Sequence, residues 1–100
     1  ISKDMMDQAP GSVDIFEWDI CERFDREKWI NVPSTFEVAF ARGVFMYLEK
    51  GDRMFRAMKN LSAVISKVIL VYEWPAVIEK MQAAYSDPLF EYHPILENQE

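Results

Sequence analysis

His93 is the single histidine of the chain, and the only side chain whose ordinary pKa places a proton exchange near neutral pH. Glu91 and Tyr92 precede it and Pro94 follows. In an extended segment Glu91 and His93 share a face, so the carboxylate would orient the imidazole for general acid–base work. The competing reading is a surface histidine beside a proline. Asp14, Glu17 and Asp19 are oxygen donors of the kind that hold magnesium or calcium. No glycine-bearing loop of the EF-hand type follows them, and a solvated face accounts for them as well. Arg53, Arg56 and Lys59 fit an anionic group. On a helix their spacing brings them together; on a strand Arg56 opposes the other two. Ordinary charge pairing is the simpler account. Cys21 stands beside Glu22 with Arg23 and Arg26 close by, but a nucleophilic thiol needs a base, and the one histidine is far along the chain.

Other chemistry is excluded by count. One cysteine and one histidine rule out an internal disulfide, a cysteine-built zinc site and a multi-histidine centre. Three glycines make no phosphate-cradling loop, and no P-loop, dinucleotide-binding or Gly-x-Ser-x-Gly pattern occurs. No metal and no cofactor is expected.

These residues need elements to position them. The chain has 100 residues, half of them apolar and 14% aromatic; that is one domain with a real core and not a disordered chain. Residues 1–12 read as a loose arm, 13–96 as the globular domain and 97–100 as a polar tail. Val13–Ile20 alternates Phe16, Trp18 and Ile20 with acids, as a strand with one buried face does; a helix capped by Ser12 is the competitor. Residues 21–33 read as a long loop. Ser34-Thr35-Phe36-Glu37 has the form of a capping box, Phe36, Phe40, Val44 and Tyr47 form a stripe, and Gly51 stands where a left-handed end belongs. A helix over 35–50 is expected.

Residues 52–72 support two readings. Met54, Met58, Leu61, Ile65, Val68 and Tyr72 make an unbroken helical seam. Alternatively Arg53–Lys59 and Val64–Trp74 pair as a hairpin, with Val68–Tyr72 reading as a strand buried on both faces. A mixed arrangement, helix over 52–62 and strand over 66–73, is the third possibility. Pro75 suits the first position of a helix, and Val77, Ile78, Met81, Ala84 and Tyr85 give its apolar stripe. Ser86-Asp87-Pro88 stops it. Leu89 to Leu96 forms a last short strand, at an edge because of Pro94.

The resulting order, strand, helix, two strands, helix, strand, is an α+β domain of ferredoxin-like βαββαβ type. Tyr47-Leu48-Glu49-Lys50-Gly51, then Val68-Ile69-Leu70-Val71-Tyr72-Glu73-Trp74-Pro75, then Met81-Gln82-Ala83-Ala84-Tyr85-Ser86-Asp87-Pro88 carry a resemblance. Over residues 64–90 the chain resembles the dimeric α+β barrel superfamily, which includes muconolactone isomerases and small monooxygenases. The resemblance implies a homodimer whose sheets close into a barrel, and a cleft between sheet and helices for a small apolar or aromatic ligand. His93 and Tyr92 would be its polar members, Trp18 and Trp74 its walls, and Arg56 would meet an acidic group. The histidine that many enzymatic members carry on the first strand or helix has no counterpart here. Whether the chain is an enzyme is left open.

A second expectation belongs to another class: an all-α, bundle-like domain, non-catalytic, in which 52–72 is one helix packed on a protein partner, as in an acidic adaptor or inhibitor. Residues 64–74 discriminate, strand favouring the first reading. The net charge of −6 disfavours nucleic acid. Its distribution is uneven: six bases against two acids over 42–67, acids in excess on either side. No apolar run is long enough to span a membrane, and a lone cysteine fits a reducing cytoplasm.

Overall fold

The computed structural model describes residues 18–25, 27 and 35–96. Strand β1 (Phe36–Arg42) leads through a 3-10 turn (Phe45–Tyr47) to helix α1 (Arg53–Val64). Strand β2 (Ile65–Glu73), helix α2 (Pro75–Ala84) and strand β3 (Phe90–Pro94) follow. The described residues form a small α+β domain.

Local chemistry explains each element. Met54, Met58 and Leu61, spaced four and three apart, give α1 its buried stripe, with Ala57 and Val64 beside them. From Val64 on, apart from Ser66 and Lys67, the residues are aliphatic up to Val71, and the backbone passes to strand with no loop between. The Ile65 amide still donates to the Leu61 carbonyl while its own backbone is already extended. Trp74 is extended too, as a residue before proline prefers, and Pro75 opens α2, where its missing N–H costs nothing. Val77, Ile78 and Met81 are the buried face of α2.

The three strands are parallel and lie in the order β1-β2-β3. Two consecutive right-handed crossovers in that order put both helices on one face, and α1 and α2 touch there. The register places Ala39 and Ala41 beside Ile69 and Val71, and those beside Phe90 and Tyr92. This is the covered face. Ile69 and Val71 on this face, and Phe45, Met58 and Met81 packed in the layer beside it, are completely buried, each large apolar side chain contributing about 1.5–3 kcal/mol of transfer free energy.

Several expectations are corrected. The helix over 35–50 is β1 and the 3-10 turn. Glu37 stands in β1, where its carboxylate meets the Lys67 ammonium at 3.3 Å. Gly43, with φ of +66°, ends the strand; in a helix interior it would have cost about 1 kcal/mol relative to alanine. Gly51 (φ +61°) adopts the expected left-handed backbone, but it leads into α1 rather than closing a helix. The Arg53–Lys59 arm of the hairpin is the first half of α1, so the two adjacent middle strands of a ferredoxin-like domain are not formed here. The all-α alternative fails because the helix stops at Val64. The mixed arrangement is the one adopted. Of the expected strand Val13–Ile20, residues 13–17 lie outside the described residues, and 18–20 are irregular backbone entering a turn. Ser34, the arm over 1–12 and the tail over 97–100 also lie outside them.

Candidate functional site

Among the described residues, no helix or strand packs over the face of the sheet away from α1 and α2. Val38 is 51% exposed and Phe40 64%. Arg42, Val68, Leu70, Tyr72, Glu91 and His93 share that face by register. Phe40 packs its ring on Tyr72 at 5.1 Å between centroids. Tyr72 stacks on His93 at 4.7 Å and 13°. A row of aromatic rings thus crosses all three strands. His93 Nε2 lies 3.5 Å from Glu91 Oε1, the orientation expected for two residues sharing a strand face. Exposed apolar residues also stand just beyond the C-terminal end of each strand: Val44, Trp74 and Leu96.

Trp74 borders a shallow cavity of about 380 Å3 with Pro75, Ala76, Ile95 and Leu96. One residue earlier, Glu73 is fully buried. Its Oε1 accepts the Phe45 amide at 2.9 Å, while Oε2 is buried without a hydrogen-bond partner. The sequence does carry a signal for this group: an acid at the last position of the most aliphatic strand, the one place where a polar side chain can still meet backbone at the strand end.

Tyr92 is on the covered face, packed against Phe90. Burial raises its phenol pKa above the ordinary 10.0, and the nearby Asp87 charge adds to the rise. Consecutive strand residues point to opposite faces, so Tyr92 and His93 cannot serve one cleft. Asp87 itself is fixed by three groups: it bonds the Ser62 hydroxyl, its Oδ1 accepts the Leu89 amide and its carbonyl accepts the Phe90 amide.

Trp18 and Arg56 both meet Glu22, the one through its backbone carbonyl and the other through its carboxylate. The Asp19 side chain and carbonyl accept the Cys21 and Glu22 amides, forming a turn of the Asx type. The Trp18 indole donates to the Glu22 carbonyl at 2.9 Å and packs edge-on against Phe24. This turn docks on α1. Asn60 Nδ2 donates to the Ile20 carbonyl at 2.9 Å, and the buried Cys21 thiol contacts the Arg53 carbonyl at 3.6 Å. Arg56 meets Asp52 at 3.3 Å and Glu22 at 3.8 Å. The charge-pairing account of Arg56 is therefore part of the structure.

Between sheet and helices, at the place where a ligand cleft was expected, Phe45, Met58 and Met81 fill the layer. Among the described residues no helix is long and apolar enough to cross a membrane. Comparison with family models, curated proteins and solved structures finds no match.

Proposed function

We propose that this domain is a self-association module, and that its uncovered sheet face packs on the same face of a second copy. The observation that carries this reading is that, among the described residues, helices cover only one face of an all-parallel sheet. Such sheets are almost always covered on both faces, yet here Val38 and Phe40 meet solvent. Charge supports a second copy as the occupant. Arg42 is on one edge strand, and Glu91 with His93 on the other. A two-fold axis along the strand direction lays β1 of one copy over β3 of the other, with Arg42 facing the Glu91–His93 pair. The contact is then made twice, as in any isologous interface.

Size sets the strength. Three strands about 4.8 Å apart and five residues of about 3.3 Å each give a face of roughly 14 by 17 Å. This is well below the ~800 Å2 per partner of a standard interface. Association is accordingly weak and reversible. The homodimer implied by the resemblance to dimeric α+β barrels returns in this proposal with parallel strands, and the domain acts by binding rather than by catalysis.

Sedimentation velocity across a concentration series tests it, with wild type beside Phe40→Asp. Phe40 is exposed, so the variant keeps its fold, which circular dichroism verifies. Wild type is expected to pass from monomer to dimer, and Phe40→Asp to remain monomeric at concentrations about tenfold higher. A wild type monomeric up to about 1 mM, where even a weak interface associates, overturns the proposal. A dimer indifferent to Phe40→Asp overturns its placement on this face.

A further inference from the structure

On the helix side of the sheet, the Asx turn and α1 enclose a groove of about 490 Å3, within the range of small-ligand sites. Among the described residues Arg23, Arg56 and Lys59 line it, together with the acid Glu22. Phe55, Cys21 and Ala63 supply apolar wall. Phe55 is set by an edge-to-face contact with Tyr85 at 5.7 Å, and the Lys59 ammonium lies 5.9 Å from its ring centroid. The groove therefore has an apolar side and a cationic side.

The cations are not equivalent. Arg56 is held by Asp52 and, at the longer 3.8 Å, by Glu22. Arg23 and Lys59 have no acidic partner among the described residues. We propose that this groove binds a small organic anion: a carboxylate on a flat apolar body, its charge drawn to Arg23 and Lys59 and its body laid on Phe55 and Ala63. The bound carboxylate also competes with Glu22 for Arg56. The site is built by the turn, because Asn60 and Cys21 fix residues 20–21 on α1. It lies away from the uncovered sheet face, so ligand binding and self-association are separately measurable.

Benzoate, benzamide and inorganic phosphate are the probes, titrated into the full chain and followed by backbone amide shifts. The Trp18 indole resonance is a local reporter, since its N–H rests on the Glu22 carbonyl. Benzoate is expected to shift residues 21–23 and 55–63 saturably, with a dissociation constant around 1 mM. Benzamide, isosteric and neutral, is expected to bind at least about tenfold more weakly, and phosphate likewise. Arg23→Glu and Lys59→Glu, both exposed substitutions, are each expected to weaken benzoate about tenfold with the amide spectrum otherwise kept. No saturable shift at these residues up to about 20 mM, far above that constant, overturns the proposal. So does benzoate binding indifferent to both charge reversals, or phosphate binding as well as benzoate.

Discussion

The Phe45 amide donates to the buried Glu73 carboxyl at 2.9 Å, tying the β1–α1 connection to the end of β2. Phe45 opens the 3-10 turn, so an acceptor at this point also meets the positive end of that turn. The second carboxyl oxygen of Glu73 is buried and unpartnered, and an uncompensated buried polar atom is costly. Glu73→Gln keeps an acceptor for Phe45 and removes any buried charge. Its stability is expected within about 1 kcal/mol of wild type. Glu73→Ala leaves the Phe45 amide unpaired and opens a cavity, and is expected to cost about 2–4 kcal/mol. Urea unfolding of the three proteins separates these outcomes; equal losses for Gln and Ala would mean the hydrogen bond contributes nothing.

Gly43 ends β1 with φ of +66° while its amide donates to the Tyr72 carbonyl at 3.0 Å. A Cβ there would meet only Met46 Sδ, at an ordinary 3.9 Å. The cost of Gly43→Ala is therefore backbone strain alone, about 1–2 kcal/mol. Gly43→Asn is expected to lose less, since asparagine tolerates this region. Thermal denaturation should rank glycine above asparagine above alanine.

The Tyr92 phenol has a raised pKa, from burial first and the Asp87 charge second. Folding then favours the protonated phenol. This contribution is fully present below the unfolded-state pKa of about 10 and is lost as pH rises through the higher folded value. Wild type should therefore lose more stability between about pH 9.5 and 11 than Tyr92→Phe, which cannot ionise there. Melting curves across that interval test this. Parallel curves for the two proteins would show that Tyr92 does not titrate on unfolding.

Much of the second half of the fold is legible in the sequence. Pro75 announces α2, Pro94 fits an edge strand, and the Met54–Met58–Leu61 spacing is a helix stripe. The Glu91–His93 pairing follows from strand alternation, and the same alternation separates Tyr92 from His93. The boundary at Val64 is hidden because helix passes to strand without a glycine, proline or turn residue, so the seam Met54–Tyr72 runs through two kinds of structure. β1 is obscured for a different reason. Phe36 and Phe40 suit a helix stripe as well as alternate strand positions, and only Gly43 argues against the helix. The uncovered face is missed because Val68–Tyr72 is aliphatic enough to look buried on both sides. What decides it is tertiary: β1 and β3 bring Phe40 and His93 to the side that the helices leave open.

A charge exchange across the two-fold tests the self-association of that open face most directly. Arg42 and Glu91 stand on opposite edge strands of one copy, with β2 between them, and no ion pair joins them there. The dimer dissociation constant is measured by sedimentation for wild type, Arg42→Glu, Glu91→Arg and the double exchange. Each single reversal is expected to weaken the dimer about tenfold, and the double exchange to recover most of that loss. Losses that simply add in the double variant, or a chain that remains monomeric throughout, would contradict the account.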